Sequence, residues 1–482
     1  MHTLAQLPFE SRYTQLPTRL YQRLRPTPLT SPVLVALSAD AARLIDLDLC
    51  QLQPEQLAAH FGAGEPLPGD DPVAMKYAGH QFGVWNPQLG DGRGLLLGQV
   101  RNDRGELWDL HLKGSGRTAY SRFGDGRAVL RSCLREFLGS EALFHLGIPT
   151  TRALCVVMGQ GQVRREMPEP EATLVRMTRS HVRFGHFEHL HYSGDRAGYE
   201  ALMQQVIEDH WPDLLAIPDQ AERWAHWYEE VLKRTAELVA KWQAYGFCHG
   251  VLNTDNMSIL GETIDYGPFA FLDEYRPDAV FNHSDDQGRY AFDRQPKIVH
   301  WNLTALAETL TPYVSVSTLE DILARYSDYF QQAYRQQLSA RLGLAVEQWP
   351  LVERFLQLCR EQSVDWTLFL RDLAENKDEK QLLDHVSDQD LFQHWLRHWR
   401  KAVDERFDSI EQRVEALCAV NPWVLPRTHV LQVAIEAAEQ GDFTEVARQL
   451  RSYRQPYQRL PGHEDHAAPP PAGNFVHLSC SS

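Results

Sequence analysis

The sequence predicts an α+β fold in two lobes: a small antiparallel β-sheet lobe with one key helix, then a large, mainly helical lobe. Three observations carry this. Short apolar runs punctuated by glycine cluster between residues 71 and 180, as strands and turns do. A single amphipathic stripe interrupts them: Val129, Leu130, Cys133, Leu134, Phe137, Leu138, Leu143 and Leu146, stopping at Gly147-Ile148-Pro149. From Tyr199 onward the pattern is mainly helical, and from Asn302 to about Arg454 it is helix after helix.

Taken in order, residues 1–70 are rich in Pro and Leu with a short helical pattern near Ser38–Leu49, and read as a lead-in that packs on the body. Ala78–Gly83 is a glycine-punctuated loop, either a binding loop or a turn. Leu95–Val100 and Leu107–Leu112 are strands, and Thr150–Met158 and Ala172–Met177 are two more around a Gly159–Pro170 loop; these four belong to an expected five-stranded sheet in a small lobe over 71–180. Asp125-Gly126-Arg127 opens the helix, with Asp125 either its N-cap or a ligand contact. The large lobe, 181–460, contains a long helix over Gln220–Tyr245 ended by Gly246. Cys248–Gly267 then reads as a polar loop and a hairpin, Met257–Leu260 returning through Gly261-Glu262 to Thr263-Ile264. Pro268–Tyr290 fits an activation-segment-like loop, and the Pro/Ala-rich tail 461–482 carries Cys480.

Composition narrows the function. At 482 residues, 43% hydrophobic content and net charge −16, the chain can bury a large core and is not a general nucleic-acid binder, since nothing offsets phosphate repulsion. No apolar run reaches membrane-spanning length and the N-terminus lacks signal-peptide character, so the expected compartment is the cytoplasm, without a membrane partner. Seven scattered cysteines give neither a zinc signature nor a disulfide framework.

The chemistry sits in a few motifs. Gly90-Asp91-Gly92-Arg93 precedes a strand; glycines let backbone approach an anion, and Arg93 adds a planar donor fork. Lys113 ends the next strand, and Glu136, flanked by apolar stripe residues two turns into the helix, is its natural partner. The competing reading pairs Glu136 with Arg135 or Arg127. Arg176, Arg179 and Arg183 cluster in an otherwise acidic protein. His186, His189 and His191 lack helical or finger spacing and read as structural or exposed histidines. Asp255-Asn256 and Asp265 bring an amide and a carboxylate together at one polar mouth, hard oxygen donors suited to Mg²⁺ with the remaining oxygens from substrate phosphates. His249–Asn256 followed by Asp265-Tyr266-Gly267 has the layout of a protein-kinase catalytic loop and metal motif, with Val251 where the catalytic Asp stands. The fold is therefore expected to be protein-kinase-like and bilobal.

Together these motifs closely resemble the selenoprotein O (SelO, YdiU) family over most of the chain. The resemblance implies a kinase-like fold that transfers AMP from ATP to Ser, Thr or Tyr hydroxyls of proteins, with uridylyl transfer from UTP also described for members. It implies that Gly90, Gly92, Arg93, Lys113, Asp125, Gly126, Arg176, Arg183 and Asp265 surround a nucleotide bound inverted relative to kinases. Asn256 and Asp265 would hold Mg²⁺ or Mn²⁺, Asp255 would accept the proton, and Glu136 would orient Lys113. The expected partners are ATP and hydroxyl-bearing protein substrates, acted on by a monomer. Cys480 stands where some relatives carry selenocysteine, which suggests a redox role, yet Asp278–Phe281 offers no cysteine to pair with it. An ordinary phosphoryl-transferring kinase and a nucleotide-binding scaffold are the alternatives.

Overall fold

The computed structural model describes residues 1–471, Val476 and Leu478. Its strands, in chain order, are β1 (Phe9–Glu10), β2 (Tyr21–Arg23), β3 (Val33–Leu37), β4 (Val73–Met75), β5 (Gly79–Gln81), β6 (Val84–Asn86), β7 (Gly94–Arg101), β8 (Leu107–Lys113), β9 (Ala128–Val129), β10 (Arg152–Arg164), β11 (Pro168–Thr178), β12 (Phe247–Cys248) and β13 (Ala270–Phe271). Nine of them form one sheet in the order β2-β4-β7-β8-β11-β10-β3, with β1 on β7 and β9 on β11, and each pairing is antiparallel. The five-stranded expectation is thus too small. Residues 9–37, read as a lead-in, supply three of the strands.

Both faces of this sheet are covered, which is why its central strands read as nearly continuous apolar runs. Leu96, Val156 and Leu174 face α3 (Leu130–His145) and join Leu134 and Phe137 in the main core. Leu95, Leu97, Val157 and Val175 point the other way. There they meet α1 (Ala39–Leu44) and α2 (Pro54–Phe61) through Ala41, Leu57 and Phe61. α3 starts at Leu130, with Val129 at its N-cap, so Asp125 does not cap it.

The rest is mainly helical. α4 (Phe184–Tyr192) and α5 (Arg196–His210) lead to α6 (Gln220–Tyr245), and α7 (Gln295–Leu310) follows the site. α6 begins where the Asp219 carboxylate accepts from the Glu222 N–H and ends at Gly246 with φ 73°, a left-handed residue that suits glycine. It buries Trp224, Trp227, Val231, Leu238 and Trp242 as its stripe predicts. Helices Thr428–Glu439 and Thr444–Tyr453 return to pack on α3, so the two regions share a core. Among the described residues no helix is long and apolar enough to cross a membrane.

Two local expectations change. Ala78–Gly83 forms the first strand and turn of a hairpin, β5–β6, with Phe82 (φ 51°) and Gly83 (φ 79°) at its turn, the geometry that matches strand twist. The expected hairpin over Met257–Ile264 reduces to one bridge, Met257 to Thr263, after a single turn of 3₁₀ helix at Thr254–Asn256. Thr263 is held elsewhere: its N–H and hydroxyl both donate to Pro149 O, at 2.9 and 2.8 Å, and its hydroxyl accepts from Trp242 Nε1. Cys480 lies outside the described residues.

Candidate active site

A cavity of about 490 Å³ opens between the end of the sheet and the segment 251–268, a size suited to a small-molecule ligand. Gly90, Gly92, Arg93, Lys113, Asp125, Gly126, Arg176, Arg183, Asp255, Asn256 and Asp265 all line it. Glu136 stands behind Lys113.

The loop Gly90–Arg93 is shaped by burial. Asp91 is buried and accepts from the Met75 N–H at 3.0 Å and the Tyr77 hydroxyl at 3.3 Å. Burial alone would raise its pKa, but His111, 3.2 Å away, holds it below the usual carboxylate range. Gly90 has φ 145°, and a Cβ there would lie 2.5 Å from the Tyr120 ring. The N–H groups of Asp91 and Gly92 are bonded to the carbonyls of Met75 and Gly90, so the loop closes on itself and presents Arg93 to the cavity. Arg93 O accepts from the Gly114 N–H at 2.6 Å, which ties the loop to the end of β8 and Lys113.

From there a chain of buried charges crosses the floor. Lys113 Nζ donates to Glu136 Oε2 at 2.7 Å, and Arg176 Nε donates to Glu136 Oε1 at 2.5 Å. Arg176 Nη2 reaches Asp265 Oδ1 at 3.0 Å, and Arg183 Nη1 reaches Asp265 Oδ2 and Asp255 O, each at 2.9 Å. Burial opposes ionisation of Glu136, yet Arg176 and then Lys113 pull its carboxyl down to about 2. Burial likewise works against Asp265, but Arg176 and Arg183 hold it well below the usual range. Against burial, Glu136 and Asp265 keep Arg176 firmly protonated, and Tyr77 and then Asp265 do the same for Arg183. The rival partners of Glu136 are engaged elsewhere: Arg135 donates to Gly267 O and Phe269 O, and Arg127 lies 3.5 Å from Glu171.

Asp255 differs from its neighbours. It is buried, its Oδ2 accepts only a long 3.3 Å bond from Gln81 Nε2, and its Oδ1 has no hydrogen-bond partner. Burial pushes its carboxyl up to about 7 against the pull of Arg183. A carboxylate kept this basic in a cleft is suited to taking a proton. Asn256 Nδ2 donates to Val251 O at 3.2 Å, which fixes the amide and leaves its oxygen as the remaining donor atom.

Asp125 sits at the rim, exposed, with its carboxylate on Arg165 at 2.7 and 3.0 Å. Gly126 has φ 75°, and a Cβ would fall 2.1 Å from the Gly116 carbonyl carbon, so only glycine fits this crossing of chains. His186, His189 and His191 lie on α4, so the expectation that they lack helical placement is corrected. His186 Nδ1 accepts from the Arg183 N–H at 3.0 Å, and burial lowers its pKa to about 3, a neutral structural histidine.

Some lining residues were missed. Gln81 ends β5 of the hairpin, and Asn253 stands two residues before Asp255. Arg165 lies in the β10–β11 connection and has no signal in the sequence. Asn253 Oδ1 accepts from the Phe82 N–H at 3.2 Å and from the Tyr290 hydroxyl at 2.6 Å, so hairpin, site loop and following segment are fastened together.

Asp40, Glu141 and His145 bring ligand atoms within 4.8 Å of one another, a spacing that admits a divalent cation. However, Glu141 is bidentate to Arg152 at 2.8 and 3.0 Å, and Asp40 lies 3.2 Å from Arg454 Nε, so these carboxylates already neutralise guanidiniums. Asn256 and Asp265 suit Mg²⁺ or Mn²⁺ better. Both offer hard oxygens on the cavity wall, Asp265 stays ionised, and each of its oxygens has accepted one N–H with a lone pair to spare.

Comparison with known proteins identifies the family. A family model described as "Protein adenylyltransferase SelO" matches residues 3–454. Proteins described as "Protein nucleotidyltransferase YdiU" align along the full length of both chains. One from Pseudomonas fluorescens is 46% identical over 490 residues, with 100% of each chain covered. One from Pseudomonas aeruginosa LESB58 is 47% identical over 491 residues, and one from Azotobacter vinelandii 45% over 490, again with 100% of each chain covered. With a family match over nearly the whole chain and relatives this similar from end to end, the chain belongs to the SelO family of nucleotidyltransferase enzymes.

Proposed function

We propose that the chain transfers AMP from ATP to Ser, Thr or Tyr hydroxyls of proteins, with Mg²⁺ or Mn²⁺ at Asn256 and Asp265. The observation that carries this reading is Asp255: a buried carboxylate with an unpartnered oxygen, beside a cavity whose other wall is cationic. In this reading the triphosphate lies against Arg93, Lys113, Arg176 and Arg183. The acceptor hydroxyl gives its proton to Asp255 Oδ1 as its oxygen attacks the α-phosphorus. The bond from the α-phosphorus to the bridging oxygen breaks, and pyrophosphate leaves with its charge balanced by Lys113 and the arginines. Such transfer rests mainly on positioning and charge stabilisation. The bound cation would supply further neutralisation of phosphate charge.

The Lys113–Glu136 pair, with Asn256 and Asp265 across a loop, supports a protein-kinase-like ancestry for the two regions. Against γ-phosphoryl transfer stands Val251, an apolar residue at the position of the kinase base, whose carbonyl only holds the Asn256 amide. The test is incubation with Mg²⁺ or Mn²⁺ and ATP labelled separately at the α- and γ-phosphates, followed by intact mass of the acceptor. Gain of one AMP carrying only α-label is expected. Gain of γ-label would replace the reading with a kinase, and binding without any label would make the chain a scaffold. UTP in a parallel reaction establishes whether uridylyl transfer shares the site.

A further inference from the structure

Beside the cavity mouth lies a run of exposed aromatic and apolar side chains. Val84 is 70% exposed, Tyr192 42%, Phe82 39% and Trp301 36%. They form one patch. Trp85 and Tyr192 rings meet at 4.5 Å, His80 lies 5.1 Å from Trp85 and 5.2 Å from Trp301, and Phe82 lies 5.0 Å from Tyr290. Single exposed hydrophobes are ordinary, but contiguous ones mark interaction surfaces. The Arg289 guanidinium lies 5.1 Å over Trp301 and 5.9 Å over Tyr290. The patch therefore joins apolar area to a guanidinium, while the nearby Asp285 carboxylate is taken up by the Arg289 and Tyr290 N–H groups at 2.9 and 2.7 Å.

The hairpin β5–β6 links this patch to the chemistry. Gln81 donates to Asp255, the His80 N–H donates to Thr254 Oγ1 at 2.7 Å, and the Phe82 N–H donates to Tyr290 at 2.9 Å. Val84 is paired with Gln81 across the hairpin, and paired strands stand roughly 5 Å apart. An extended chain with its hydroxyl at Asp255 would cover that distance in about two residues, at roughly 3.3 Å each.

We propose that this patch, built on Phe82, Val84, Trp85, Tyr192, Trp301 and Arg289, docks an extended segment of the protein substrate. That segment carries an aromatic or large aliphatic side chain and an acidic side chain within a few residues of the acceptor hydroxyl. The apolar side chain lies on Val84 and Trp85, and the acidic one meets Arg289. This inference rests on the adenylyl-transfer reading, and the test separates the two.

The full-length chain is incubated with α-labelled ATP, Mg²⁺ and a positional-scanning library of Ser-, Thr- and Tyr-centred peptides, and peptide binding is measured in parallel. Val84→Asp and Trp301→Ala are compared with the unaltered chain, with melting temperature and ATP affinity as controls. Selection for aromatic or aliphatic and acidic residues flanking the hydroxyl is expected. Both variants should lower kcat/KM for the selected peptides roughly tenfold or more, as loss of an interface anchor does, with ATP affinity unchanged. Labelling without such selection, or equally fast in both variants, overturns the docking surface and leaves adenylyl transfer standing. Peptide binding that the variants abolish, with no label transferred, supports the surface and overturns adenylyl transfer. Neither binding nor labelling of any peptide overturns the surface.

Discussion

Glu136→Gln tests the charge chain at its centre. The carboxylate is 1% exposed and holds Lys113 on one oxygen and Arg176 on the other, both also buried. Glutamine keeps the shape and removes the charge, leaving two cations without their shared counterion. The carboxyl sits at about 2 in the folded chain against an ordinary 4.5. At about 1.4 kcal/mol for each pH unit between those values, the ionised form contributes about 3 kcal/mol to stability at neutral pH. The cost of breaking a buried pair from one side, about 3–5 kcal/mol, is of the same size. Because the folded pKa is the lower one, this contribution is complete above about 4.5 and is lost as pH falls toward 2. Urea unfolding at pH 7 should place the Glu136→Gln variant about 3 kcal/mol below the unaltered chain. The gap should narrow as pH drops below about 4.5, over the range where both remain folded. A variant as stable as the parent at pH 7, or a gap that does not change with acid, would refute the assignment of Glu136 as the shared counterion.

Three further outcomes follow from the same geometry. Asp255→Asn should cut α-label transfer at least about a hundredfold, as loss of a general base does, while ATP affinity by calorimetry stays within about twofold; retained turnover would remove Asp255 from the chemistry. Asp265→Asn should weaken Mn²⁺ binding, read by electron paramagnetic resonance, and chelation of the metal should silence the unaltered chain; unchanged Mn²⁺ affinity would reject Asp265 as a ligand. Gly126→Ala should weaken ATP binding and lower stability by about 1–3 kcal/mol, since its Cβ has no room beside Gly116 and its backbone is left-handed; a neutral result would show that this crossing is soft.

Several parts of the site lie open to reading along the chain. Lys113 ends a strand, Glu136 sits on an apolar helical stripe, and Asn256 and Asp265 flank one short excursion; each follows from spacing and local period. The two-region architecture follows from the change of period near residue 180. The choice of Arg176 over Arg135 as the partner of Glu136 does not, because it depends on β11 lying between β8 and β10. Nor do the strands from residues 9–37, which are two to five residues long and carry too little pattern to announce themselves before pairing. Gln81 meets Asp255 across 174 positions and Arg165 meets Asp125 across 40. Local chemistry along the chain thus names the groups that can carry charge, bind phosphate or end a helix. Which of them meet, and which carboxylate is left basic, was set by sheet register and burial, because a pKa and a salt bridge depend on neighbours brought together only when distant segments pack.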